Sequence, residues 1–384
     1  MKIEQKIPEG WSVKKLRDIV NTFSGGTPLA GEATYYKNGT IPFIRSGEIY
    51  QNYTELFITE KGLRESSAKM VKRGDLLFAL YGANSGEVAI SQINGAINQA
   101  ILCIRPKYDN TDYLNNVFIL SKNKILHKYL QGGQGNLSAE IVKSLNFIFP
   151  PLPEQEKIAG ILSCWDDGIE KLSALIEKKK IQKKALMQQF LKKIKVSNLK
   201  RFDEIFKDYS IKNQPYEKLL SATQDRGVLP RDMLQGRVMS PEGSLAGYKL
   251  VNIGDFVISL RSFQGGFEYS NYRGIISPAY TVLKNVINID KQFYRYFFKS
   301  YEFIEKYLSI AVVGIRDGKQ ISYQDLCSVK IPYPELTEQK VIAEILSKAD
   351  EEIELLNKKL EAFKQEKKAL MQQLLTGKIR VKVN

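Results

Sequence analysis

One histidine, His127, and three cysteines, Cys103, Cys164 and Cys327, are all that 384 residues supply for imidazole or thiol chemistry. Zinc hydrolases need imidazole or thiolate ligands at short spacing, and Ser–His–Asp hydrolases need an imidazole base. A lone histidine leaves little room for either. No two cysteines form a CxxC pair, so neither a zinc ribbon nor a redox dithiol is present. The cysteines read as reduced, buried, inert thiols. No group of carboxylates stands at a spacing that would hold a metal for cleavage. No catalytic or metal-ligating residue stands out among these types, which narrows the enzyme classes open to this chain and turns the question to what it recognises.

The charge says what would be recognised. Fifty-seven Lys and Arg against 42 Asp and Glu give a net charge of +15 and a pI near 9.4. That excess suits a polyanion, most commonly nucleic acid; a lysine-rich, AT-rich genome or a thermophilic source would give the same balance without DNA contact. Hydrophobic residues at 43% and charged residues at 26% allow ordinary soluble cores, and the length suits two or three domains. No run of 18 apolar residues and no apolar leader is visible, so a cytoplasmic protein with no membrane partner is expected.

The elements that must position a recognition surface come in duplicate. Residues 150–191 and 334–375 align without a gap, with 23 identities in 42 positions. KKALMQQ stands at Lys183–Gln189 and again at Lys367–Gln373, and Glu154-Gln155 recurs as Glu338-Gln339. Weaker matches precede each copy: VKRGDLLFALYGANSG (Val71–Gly86) against VNIGDFVISLRSFQGG (Val251–Gly266), and LSAEIVKSLNFIFP before Pro150 against ISYQDLCSVKIPYP before Pro334. The chain is thus a variable module plus a helix, twice over.

Each repeated segment predicts a long helix, with Pro and Glu at its start. Apolar residues then recur every 3.5 positions, the period of a coiled coil rather than of a helix on a globular core. The expected seam is Leu162, Trp165, Ile169, Leu172, Ile176, Leu186 and Phe190 on the first helix. On the second it is Leu346, Ile353, Leu356, Leu360, Phe363, Leu370 and Leu374. Lys179, Lys183 and Lys367 interrupt it. At 1.5 Å per residue each helix would be about 60 Å long. A pseudo-two-fold axis across the coil makes the helices antiparallel; a parallel pair is left open by the sequence.

The modules read as α+β. The first shows strand-like stretches at 41–44, 75–80, 87–90 and 100–104 and a helix over 113–131. The second shows strands near 255–260 and 279–283 and a helix across Lys291–Leu308. The expected division is 1–149 for the first recognition module, 150–197 for the first long helix, 198–333 for the second module, and 334–384 for the second helix and tail.

With both helix starts (Pro151–Gln155 and Pro334–Gln339), both KKALMQQ ends, the GDLLFALYG and GDFVISLRS strands and the IPEGW opening (Ile7–Trp11), the whole chain resembles the specificity (S, HsdS) subunit of Type I restriction-modification systems. The entry to the second module, KRFDEI at Lys200–Ile205, matches KKLRDI at Lys14–Ile19 only loosely. The resemblance implies an α+β fold: two globular target recognition domains joined by two long helices in an antiparallel coiled coil, with an internal pseudo-two-fold repeat. It implies a non-catalytic reader of a bipartite site in double-stranded DNA, docking two methyltransferase (M) subunits and restriction/translocase (R) subunits. S-adenosylmethionine, ATP and Mg would belong to those partners. Consistently, there is no GxxxxGK[ST] phosphate loop, and the only Pro-Pro, Pro150-Pro151, lies outside any adenine-methyltransferase motif.

Base reading needs hydrogen-bonding side chains on loops backed by phosphate-binding cations. The candidates in the first module are Arg45, Asn84, Ser85, Gln99, Gln134 and Asn136. Those in the second are Arg226, Arg231, Arg261, Gln264, Arg273, Arg316 and Gln320. Lys184, Gln188, Lys368 and Gln372, in the repeated helix ends, are the candidate partner-docking residues. Two rival readings are a coiled-coil scaffold that binds only proteins, and a divergent metal-dependent nuclease.

Overall fold

The computed structural model describes residues 7–129, 136–194, 198–234, 245–259, 262–309 and 321–383. The chain divides into two compact units: residues 1–171 with 360–384, and residues 172–359. Each unit thus combines one module, the first half of one long helix and the second half of the other.

In the first unit, β1 (Ser12–Lys15) leads through a one-turn helix, α1 (Leu16–Ile19), into β2 (Val20–Ser24). Then come β3 (Ile41–Ile44), β4 (Phe57–Ile58), α2 (Glu60–Arg64), β5 (Lys69–Val71), β6 (Leu76–Ala79), β7 (Val88–Ile90), β8 (Gly95–Ile97) and β9 (Ile101–Pro106). The module closes with α3 (Thr111–Tyr129), α4 (Ala139–Lys143) and β10 (Asn146–Phe149), which pairs antiparallel with β1. The central sheet is antiparallel in the order β2-β9-β6-β7, and a second sheet runs β4-β3-β8-β5. Strand alternation sorts β6 between two cores. Leu76 and Phe78 face α3, with Phe118 and Val117; Leu77 and Ala79 face the second sheet, with Ile97 and Val71.

The second unit repeats this plan. β11 (Leu199–Arg201), α6 (Phe202–Ile205) and β12 (Phe206–Tyr209) form the same strand, turn of helix and strand as residues 12–24. The loosely matching KRFDEI is therefore the structural counterpart of KKLRDI. After β13 (Leu220–Thr223), β14 (Gly227–Pro230), β15 (Lys249–Val251), β16 (Phe256–Ile258), α7 (Ser262–Gly265), β17 (Glu268–Tyr269), β18 (Gly274–Ile276) and β19 (Thr281–Asn285), the sheet order is β12-β19-β16-β17. That is the first module's order strand for strand. The modules differ outside it: here β13–β14 form a hairpin and β15 pairs with β18.

The helix expected over Lys291–Leu308 is not continuous. α8 (Lys291–Phe298) stops, and a wider π turn occupies Phe303–Leu308. Buried Ser300 explains the break: its hydroxyl donates to the Phe297 carbonyl at 2.7 Å and accepts from the Phe303 amide at 3.0 Å. α9 (Tyr323–Cys327) and β20 (Lys330–Pro332) complete the module, and β20 pairs antiparallel with β11.

The long helices are α5 (Leu152–Lys193, 42 residues) and α10 (Leu336–Leu374, 39 residues). Each is fastened to its module by the repeated glutamine. Gln155 Oε1 accepts from the Asn110 amide at 2.9 Å, while its Nε2 donates to the Pro150 carbonyl at 2.9 Å and to Asp109 at 2.8 Å. Gln339 accepts from the Asp290 amide and donates to the Pro334 carbonyl, both at 2.8 Å. Asn110 and Asp290 in turn accept from the Tyr113 and Phe293 amides in the first turns of α3 and α8. Both glutamines are buried.

Replacing Gln155 or Gln339 by Leu leaves a half-buried amide and a buried carbonyl without partners. Each substitution should cost about 2–4 kcal/mol in denaturant unfolding. A loss below about 0.5 kcal/mol would show the clamp to be dispensable.

Candidate nucleic-acid interface

Within each unit the helix halves run antiparallel. In the first, Trp165 packs edge-on against Phe363 with centroids 5.4 Å apart, while Leu162 and Ile158 share a core with Met371 and Leu374. In the second, Leu186 and Phe190 pack on the core that holds Ile342 and Leu346. Leu172, Ile176 and Leu360 are buried; Ile169, Ile353, Leu356 and Leu370 are half-buried. The seam lysines find carboxylates. Lys183 meets Asp350 and Lys367 meets Asp166, each at 2.5 Å, and the two pairs occupy equivalent positions of the repeat. Lys183 also lies over the Tyr296 ring, whose hydroxyl donates to Asp350 at 2.9 Å. Lys179 pairs with Glu352 at 2.7 Å. Of the candidate docking residues, Lys184, Lys368 and Gln372 are exposed and Gln188 is half-buried. Cys164 is exposed on α5, against the expectation that all three cysteines are buried, because its position falls between the seam residues 162 and 165. Cys103 is buried, which pushes its thiol up to about 12, and Cys327 is half-buried.

The candidate readers of the first module differ in what already holds them. The Arg45 guanidinium forks onto Glu48, at 3.1 and 2.7 Å, and reaches Glu55 at 2.6 Å. Burial alone would raise the Glu48 carboxyl. Hydrogen bonds from Arg45, the Glu55 amide and the Thr54 hydroxyl outweigh it and hold the group at about 2. Asn84 and Ser85 sit in the β6–β7 loop, where Ser85 donates to the Leu80 carbonyl at 3.0 Å. Gln99 is exposed and accepts from Thr27 at 2.8 Å; Asn136 is exposed. Gln134 lies outside the described residues.

In the second module a groove of about 1590 Å³ runs between the module and the first half of α10. Gln224, Asp225, Arg226, Gly265, Gln292, Arg295 and Lys299 line the module wall, and Asp350, Glu351 and Glu354 line the helix wall. Arg226 stands exposed in the β13–β14 turn, where its amide donates to Thr223 at 3.1 Å, and its side chain lies 3.7 Å from Asp225. Arg295 stacks over Tyr269 at 5.5 Å. Gln264 is exposed on α7 and Arg231 is half-buried. Arg273 donates to Glu217 at 2.8 Å and to Asn252 at 2.9 Å. Arg261, Arg316 and Gln320 lie outside the described residues. Arg295 and Lys299 were missed by the sequence reading. Their signal is cations spaced four residues apart, Lys291, Arg295 and Lys299, in a largely aromatic segment, KQFYRYFFKS.

The chain therefore carries two modules of one sheet topology on two repeat-related helices. Residues 8–183 and 244–365 match the family model described as the Type I restriction modification DNA specificity domain. The chain belongs to that family. It is 29% identical to the putative type I restriction enzyme MjaX specificity subunit of Methanocaldococcus jannaschii, over 98% of this chain and 95% of the relative. The MjaVIII specificity subunit of the same organism is 28% identical over the same shares. The fold matches the S subunit of a Type I restriction-modification system from M. genitalium, with a TM-score of 0.56, 15% identity and coverage of 97% of this chain and 98% of that one. Among the described residues of this specificity-family chain, no group of His, Cys, Asp or Glu could hold a metal, and no helix is long and apolar enough to cross a membrane.

Two outcomes follow from the charge pairs. Arg45→Ala should destabilise the first module by about 2 kcal/mol, because buried Glu48 loses its forked partner. Glu48, held at about 2, is more acidic folded than unfolded, so its stabilisation is complete above about pH 5 and is lost as pH falls toward 2. In Glu48→Gln that part of the acid loss should vanish; melting curves between pH 2 and 6 check both statements.

Proposed function

We propose that this specificity-family chain reads a bipartite site in double-stranded DNA, one half-site per module, and presents it to methyltransferase and restriction subunits. The observation that carries the reading is the doubled module. The same four-strand sheet order and the same glutamine clamp occur twice, while the connections around each sheet differ. Like supports with unlike loops suit one kind of partner and two different base sequences.

The mechanism is positional. Loop side chains such as Arg226, Gln264, Asn84 and Gln99 meet base edges, and Lys and Arg around them meet phosphates. The seam of α5 and α10 carries the modules, and Lys184, Gln188, Lys368 and Gln372 belong to the surface offered to protein partners. The domain limits that fit this division are 1–149, 150–197, 198–333 and 334–384. Adenine methylation and ATP-driven translocation are the partners' chemistry, with S-adenosylmethionine, ATP and Mg bound there, in the cytoplasm where the DNA lies.

Sequencing of methylated adenines in host DNA, with the gene intact and deleted, tests the reading. Loss of one two-part motif on deletion is the expected result. An unchanged motif set from an expressed gene would leave a protein-binding scaffold as the better account. Arg226→Ala should weaken binding by about 1–3 kcal/mol and relax one base position in a single half-site. Uniform weakening on all sequences would make Arg226 a phosphate contact instead.

A further inference from the structure

In both modules a lysine in or just past the helix that follows the sheet bonds a glutamate at the sheet's edge strand, Glu87 directly before β7 and Glu268 at the start of β17. In the second module Lys299, just past α8, donates to Glu268 Oε1 at 2.6 Å, to the Gly265 carbonyl at 2.9 Å and to the Gln224 carbonyl at 3.2 Å. Those three acceptors belong to β17, to the end of α7 and to the β13–β14 turn. One ammonium group therefore ties together the two segments that carry Gln264 and Arg226. Glu268 is 1% exposed, and burial raises its carboxyl against the opposing pull of Lys299. In the first module Lys122 of α3 bonds Glu87 Oε1, and the Tyr50 hydroxyl donates to Glu87 Oε2 at 2.5 Å. Glu87 closes the β6–β7 loop that holds Asn84 and Ser85: its amide donates to the Asn84 carbonyl at 2.9 Å.

The two sites share backbone as well as charge. Gly86, directly before Glu87, and Gly266, two residues before Glu268, have φ of +80° and +72°. A Cβ on Gly86 would meet Leu126 at 2.8 Å, and one on Gly266 would meet the Phe298 carbonyl oxygen at 1.8 Å. The left-handed glycine turns the loop back against the helix, and the lysine fastens it there. The β13–β14 turn and α7 lie more than 30 residues apart in sequence, so without the lysine each would have to be ordered separately on meeting DNA.

We infer that Lys299 and Lys122 are positioning residues for specificity, each fixing the reading loops of its own module before DNA binds. The inference rests on the DNA-reading function proposed above. Its signature is a separation by half-site: loss of one lysine blurs the bases read by its own module and leaves the other half of the motif sharp.

The test uses the full chain with its methyltransferase partner, scored by sequencing methylated adenines and by binding to cognate and single-mismatch duplexes. In Lys299→Met, discrimination against mismatches should fall about tenfold in one half-site only, and in Lys122→Met in the other half-site only. The salt dependence of binding to non-cognate DNA should stay unchanged to within one contact. Lys299→Arg should restore most of the discrimination, because it keeps the charge and the donors. Glu268→Gln, which keeps an acceptor without the charge, is the milder variant should Lys299→Met fold poorly, and it should blur the same half-site. An unchanged motif in these variants, or equal blurring of both halves, would overturn the inference while leaving the reading function standing. If the unaltered chain directs no motif at all, the reading function fails and the inference falls with it.

Discussion

Both units hang on one buried amide. A glutamine four residues into each long-helix segment of the repeat must accept a hydrogen bond from the capping residue of the module helix and donate one to the carbonyl of its own helix-leading proline. A carboxylate could not do both, because when ionised it only accepts. A leucine could fill the space but would orphan two backbone groups. The amide thus fixes the direction in which α5 and α10 leave their modules. The sheet, α3 or α8, and the long helix share a core at that junction: Ile158 and Leu162 join Tyr113 and Phe149, and Ile342 and Leu346 join Tyr294 and Ile331. The adjacent glutamate is treated differently in the two copies. Glu154 is buried under Trp11 and the forked Arg380, whereas Glu338 is exposed. Of the repeated Glu-Gln pair, only the glutamine makes the same contacts in both copies.

Polar residues in the seam serve selection rather than raw stability. A lysine among leucines is costly unless it is paired, and a paired one contributes little net energy. Its effect is on alternatives. Sliding one helix by a heptad would set Lys183 against Ala343 or Asn357 in place of Asp350. Neither can compensate the charge, so the pairing disfavours slipped registers. Tyr296 extends this preference into the second module, since it bonds Asp350 and stacks under Lys183.

The parts of this fold written in local periodicity were legible in the sequence. The 3.5-residue seam gave the long helices, and the Gly-Asp turns followed by short apolar runs gave β6 and β16. The repeat tied the two together. What escaped depends on residues that meet across long sequence separations. Nothing local marks Ser300 as the point where α8 ends, because a serine is tolerated in a helix until its hydroxyl finds the next turn's amide. Lys183 looked like a seam defect, and only the antiparallel partner shows its aspartate. Arg45 looked like a free fork on a polar loop, but Glu48 is folded back upon it and Glu55 stands beside it.

That last case bears on how a base reader is chosen from a structure. An arginine that already forks onto a buried carboxylate must abandon two charge-assisted hydrogen bonds before it can grip guanine, and it leaves the carboxylate uncompensated. Arg45 is in that position, and Arg273 is partly so through Glu217 and Asn252. Arg226 loses only a 3.7 Å approach to its neighbour Asp225, on a turn whose backbone is already fixed by Thr223 and Lys299. Recognition gains most where the loop is rigid and the side chain is uncommitted. Arg45 and Arg273 are thus partly structural, whereas the β13–β14 turn combines a fixed backbone with a guanidinium held only by a long ion pair to its neighbour.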